Sequence, residues 1–144
     1  MGGLTLILLI PILANIEFGS SGCPVDSRPE IPVLISMQQD PETHVVTATV
    51  EDRSDNEQWF SLSRTIISRN NVVVAVGTDI PVPDGDNMPV NRETGRTVTI
   101  ADRGLVNGEN PQPDTEYVYT VRAMNCFFPS DRSNDLKITT LPAS

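Results

Sequence analysis

The chain has 144 residues and a formal net charge of -9, from nineteen Asp and Glu against ten Lys and Arg. That length suits one ordinary domain. One Lys and nine Arg argue against duplex nucleic acid and against an anionic membrane face, since both need basic residues to meet phosphate. Fifteen Val, eleven Ile and thirteen Thr stand against six Ala, with twelve Pro and nine Gly as punctuation. β-branched residues fit pleated surfaces and are mediocre in helices, so short strands and many turns are expected, not a helical bundle.

Leu4 to Ile16 is an apolar run interrupted by Thr5, Pro11 and Asn15. It is too short to cross a bilayer as a helix, which takes about 20 residues. Its length fits the apolar part of a secretory signal, and Ile12-Leu13-Ala14 suits cleavage, although Met1-Gly2-Gly3 supplies no basic start. Three readings stay open: a cleaved signal, a lipoprotein signal with the lipid on Cys23, or a retained arm buried against neighbouring subunits. Gly19-Ser20-Ser21-Gly22 then forms a flexible spacer. Residues 1–22 are therefore set apart from a domain spanning 23–144.

Alternation of apolar and polar residues predicts strands over Pro32–Gln38, His44–Glu51, Glu57–Ile67 and Val72–Val76. In the second, Val46, Ala48 and Val50 take the core side. In the third, Phe60, Leu62, Arg64 and Ile66 share one face. Asn70-Asn71 marks a turn between the third and fourth. A turn-rich stretch from Gly77 to Gly95 precedes a strand over Arg96–Ala101, with Val98 and Ile100 inward. Thr115–Asn125 aligns Tyr117, Tyr119, Val121 and Ala123, and Asp135–Thr140 closes the chain with Leu136 and Ile138 on one face. Seven short strands separated by turn clusters predict an all-β, antiparallel sandwich or small barrel.

Pro113-Asp114-Thr115-Glu116-Tyr117, followed by Val118 through Asn125, resembles the sixth strand of fibronectin type III domains. Ser133 and Leu136-Lys137-Ile138-Thr139-Thr140 resemble their last strand, and Gly104-Leu105 their Gly-Leu before the corner. The resemblance implies a seven-stranded immunoglobulin-like sandwich and makes Tyr117 a structural corner residue, its ring buried and its hydroxyl bonded to upstream backbone. The second strand lacks the family's usual Trp; the single Trp59 opens the third instead.

In that topology Cys23 and Cys126, the only cysteines, meet at one pole and are expected to form a disulfide, which excludes lipid on Cys23. Three loops gather at the same pole. One holds Glu51, Asp52, Asp55 and Glu57; a second holds Asp79, Asp84, Asp86 and Asn87; the last holds Phe127, Phe128 and Asp131. Ca²⁺ would draw on Asp84 and Asp86 with the neighbouring acids, but their spacing matches no full calcium loop, and solvated turn acids account for them more simply. Phe127 and Phe128 cannot both point into one core: either one caps it and the other covers the disulfide, or they form an exposed apolar patch for a partner or the next subunit.

No catalytic pattern is expected. His44 stands alone on a strand, without the second His or nearby Cys of a metal site or dyad. Gly-x-Ser-x-Gly, His-Glu-x-x-His and a phosphate-cradling Gly loop are absent. The sequence therefore predicts a non-catalytic extracellular or cell-surface module without cofactor. Its partners are proteins, copies of itself foremost, and a membrane meets only the N-terminal segment. The alternative is a soluble or lipid-anchored ligand-binding domain whose signal has been removed.

Overall fold

The computed structural model describes residues 27–67, 73–79, 88–105, 108–126 and 128–144. The apolar run, Cys23, the Asn70-Asn71 turn, Asp84, Asp86 and Phe127 lie outside them. The described strands are β1 (Val33–Gln39), β2 (Val46–Glu51), β3 (Trp59–Ile67), β4 (Val73–Asp79), β5 (Thr97–Ala101), β6 (Glu116–Met124) and β7 (Leu136–Thr139). They form two antiparallel sheets, β1-β2-β5 and β4-β3-β6-β7.

The period of two along each strand builds the core between the sheets. β2 buries Val46, Ala48 and Val50 and turns Thr47 and Thr49 outward. β6 buries Tyr117, Tyr119, Val121 and Ala123. Leu34, Leu62 and Leu105 complete the centre, with Phe60, Ile66, Val98, Ile100, Leu136 and Ile138 packed around it. Each fully buried Leu or Val side chain contributes about 1.5–3 kcal/mol over its exposed state.

The strand limits differ from the expected ones by one to three residues, most at the end of β4. β4 runs on to Asp79, because its pairing with β3 continues to Ser63↔Asp79 through a register shift. His44 does not lie on a strand: it sits in the β1–β2 turn at φ 64. The Asp40 carboxylate accepts from the N–H groups of Glu42 and Thr43, which holds the turn, and the His44 N–H donates to the Asp40 carbonyl at 2.8 Å. This Asx turn overrides the alternation that carried the strand back to His44.

The two seams between the sheets are built differently. On the β1–β7 side, β1 bulges between Leu34 and Ser36, and Asn134 clasps Leu34. The Leu34 N–H donates to Asn134 Oδ1, and Asn134 Nδ2 donates to the Leu34 carbonyl, both at 2.9 Å. Further along, the Leu141 N–H donates to Gln39 Oε1 at 2.6 Å. Side-chain amides thus tie one sheet to the other without extending either ladder. On the opposite side β5 ends its sheet, paired with β2 alone among the described strands.

Candidate functional site

The β2–β3 loop, the β4–β5 connection and the β6–β7 loop meet at one pole. Asp52 and Glu57 are 0 % and 1 % exposed, so these acids are not the solvated turn acids of the sequence reading. Asn91 Nδ2 donates to Asp52 Oδ2 and to Glu57 Oε2, both at 2.7 Å. Arg96 Nε reaches Asp52 at 3.1 Å and its Nη2 reaches Glu57 at 3.4 Å. Ser54 Oγ donates to Glu57 Oε1 at 2.7 Å, and the Ser54 N–H to Asp52 Oδ1 at 3.0 Å. Burial, chiefly, raises the Glu57 pKa, and the adjoining Asp52 adds to the rise against the lowering by Ser54 and Asn91. The cluster is a latch holding residues 88–96 against the β2–β3 loop. No group of three His, Cys, Asp or Glu among the described residues is placed to hold a metal ion.

The latch extends to the last loop. Gln58 Nε2 donates to the Met88 carbonyl at 2.9 Å, while Gln58 Oε1 accepts from the Cys126 N–H at 2.7 Å. Asn125 Nδ2 donates to the carbonyls of Ser27 and Asn56. The chain therefore enters the domain at the pole where β6 ends, as the topology predicted. Cys126 is disulfide-bonded. Phe128 is half-buried, with its N–H on Asn125 Oδ1 at 2.8 Å and its carbonyl accepting from the Asn125 N–H.

The far pole carries a second buried polar cluster. Arg64, 2 % exposed, is the charged member of the inward face of β3. Its Nε donates to Asp102 Oδ2 at 2.8 Å, its Nη2 donates to the Glu109 carbonyl at 2.8 Å, and its guanidinium lies 5.2 Å from the Tyr117 ring centroid. The Tyr119 hydroxyl donates to Asp102 Oδ2 at 2.7 Å. Burial first, and then the Asp102 charge, push the Tyr119 pKa far above its ordinary value. The Gly104 N–H donates to Asp102 Oδ1 at 2.9 Å; at φ 105 a side chain there is strained, and a Cβ would meet Asn110 Oδ1 at 3.0 Å. The Tyr117 hydroxyl accepts from the Gln112 N–H at 2.7 Å, five residues upstream.

Between the latch and the β5 seam lies an open cleft of about 280 Å³. Trp59, Phe60, Met88, Val98 and Ile100 line it, with Glu57, Gln58 and Arg96 at its polar end and Thr99 on its wall. Sequence reading missed this feature. Val98 and Ile100 read as core residues, and nothing in the spacing shows that the seam beside them stays open. No family model and no curated protein matches the chain.

Proposed function

We propose that this chain is a non-catalytic extracellular binding module, resembling fibronectin type III domains, whose copies join into a surface or filamentous assembly. The observation that carries the reading is the contrast between the two seams. One is clasped by Asn134 and Gln39; the other presents an apolar cleft beside an unextended sheet edge. An open apolar cleft flanked by strand-edge donors and acceptors suits a protein partner better than a small polar substrate.

Other observations support the finer class. The fourth strand joins the sheet of the third, sixth and seventh, unlike constant-type immunoglobulin sandwiches, where it joins the first, second and fifth. The Tyr117 hydroxyl bond to upstream backbone agrees with the corner that the resemblance implies. A disulfide on Cys126 agrees with an oxidising, extracellular setting. Both buried polar clusters spend their acids on Arg, Asn, Ser and Tyr partners, which suits scaffolding and leaves no free acid–base pair in either.

The test is self-association of the full chain. Sedimentation and light scattering across a concentration series are expected to show assemblies larger than one chain. A protein that stays monomeric throughout overturns the proposal in favour of the soluble ligand-binding alternative.

A further inference from the structure

Resting on the assembly reading, we infer that the cleft beside β5 receives the apolar segment Leu4–Ile10 of a neighbouring copy, laid down as an additional strand on the β5 edge. Four observations converge on that occupant.

The first is the edge itself. The Asp52 N–H donates to the Arg96 carbonyl and the Asp102 N–H to the Val46 carbonyl. Antiparallel pairing alternates, so the even-numbered residues of β5 face β2, and the backbone groups of Thr97, Thr99 and Ala101 face the edge that no described strand pairs. Exposed edges are ordinarily blunted by charge, Pro or a bulge. β1 bulges and carries the Asn134 clasp, β4 shifts register against β3, and β7 carries Lys137. β5 reads Thr-Val-Thr-Ile-Ala in unbroken register with β2 and has none of these defences.

The second is the fit of the segment. As a strand the segment puts Leu4, Leu6, Leu8 and Ile10 on the face toward the cleft, and Thr5, Ile7 and Leu9 on the other. Pro11 ends the stretch able to donate to a ladder. Seven residues extend about 23 Å, enough to cover the five of β5. The segment carries no charge, as an occupant between Trp59, Phe60, Val98 and Ile100 requires.

The third is reach. Residues 11–26 separate the segment from Ser27, which Asn56 and Asn125 hold at the pole. Extended, they span about 50 Å, more than a small domain's breadth.

The fourth separates a neighbour's segment from the chain's own. The cleft end nearest the pole is barred by Gln58 bonded across to Met88 and by Arg96 paired with Glu57. A copy's own arm, leaving at that pole, would have to desolvate this polar bar to enter. A neighbour's arm approaches along the open seam. Donor segment and acceptor cleft are different surfaces, so the contact is head-to-tail and propagates unless it closes into a ring.

The experiment places a photo-crosslinking amino acid at Thr99 of the full-length chain, with intact mass first establishing that residues 4–16 are present. Irradiation is expected to give an adduct of two-chain mass whose peptide map joins position 99 to residues 4–10. Trp59, the single tryptophan, is expected to shift its emission to the blue as the chain associates. Leu6→Glu with Leu8→Glu is expected to abolish both signals while far-UV circular dichroism confirms that the sandwich still folds. An adduct of one-chain mass, an adduct elsewhere in an associating chain, or association undiminished by the double variant overturns the inference and leaves the assembly proposal standing. A chain that retains residues 4–16 and never associates overturns both. A chain lacking residues 4–16 overturns the inference, and its sedimentation then decides the assembly proposal alone.

Discussion

Tyr117 and Tyr119 stand two residues apart on one face of β6, yet their hydroxyls serve different ends. Tyr117 accepts from the Gln112 N–H and pins the corner before β6. Tyr117→Phe keeps the ring in the core and loses one bond, so urea unfolding should show a loss of about 1 kcal/mol with an unchanged m-value. Tyr119 donates to Asp102, which also receives Arg64 and the Gly104 N–H. The value of that cluster is conditional. Asp102→Ala strands a guanidinium that is 2 % exposed and is expected to cost about 3–5 kcal/mol. The double change Arg64→Met with Asp102→Ala removes both charges and should recover a large part of that loss in the same measurement. Recovery would assign the ion pair to specificity of the fold; no recovery would assign it to stability.

Between elements, two devices act where sheet ladders do not. Asn134 supplies β1 with an acceptor and a donor at the bulge, where regular pairing lapses. Asn134→Leu leaves the Leu34 N–H and carbonyl without those partners and is expected to cost about 1–3 kcal/mol. Amide exchange at Leu34 should quicken while that of Val121 in β6 does not. The latch at the Cys126 pole predicts a pH effect of definite sign. Glu57 has a raised pKa in the folded chain, so the fold holds that proton more tightly than the unfolded chain does. Its contribution is fully present below the ordinary value of 4.5 and is lost as pH rises through the raised folded value. Glu57→Gln retains an oxygen for Asn91 and an amide for Ser54 without the titration. Unfolding measured at pH 7 and pH 5 should therefore show the wild-type chain gaining on this variant as pH falls. A gap independent of pH would refute the assignment.

These devices also mark where the sequence stopped being legible. Period-two alternation located β2, β3 and β6 and their inward faces, because burial of every second residue leaves a direct trace in composition. The resemblance singled out Tyr117 because a corner needs a ring and a hydroxyl at a set place. Asn134, Asn91 and Gln58 left no such trace: their partners lie far along the chain, and an amide in a loop reads as an ordinary turn residue. His44 reads as a strand residue because alternation does not register the local turn that the Asp40 side chain forms. The buried Asp52 and Glu57 look like solvated turn acids in the sequence because their compensating Arg96 is about forty residues away and joins them only when the loops meet.

At the scale of the whole molecule the disulfide and the arm bear on one another. Cys126 is disulfide-bonded, and Cys23 is the only other cysteine of the chain. We propose that the two pair within one copy: Ser27, four residues after Cys23, is held by Asn125, which adjoins Cys126. A bridge across a loop of about 100 residues contributes up to about 4–5 kcal/mol in the chain-entropy treatment. It would also fix the root of the arm beside the latch, leaving Leu4–Ile10 on a tether of defined origin. Alkylation with intact-mass readout should find no free thiol before reduction and two after it, at the mass of one chain. Reduction should then lower the urea midpoint. A species of two-chain mass that collapses on reduction would place the bond between copies instead. That outcome makes Cys126 part of the intersubunit contact and removes the entropic gain within the monomer. Either thiol free in the untreated protein would sink the pairing altogether, and the arm's position at the pole would then rest on Asn56 and Asn125 alone.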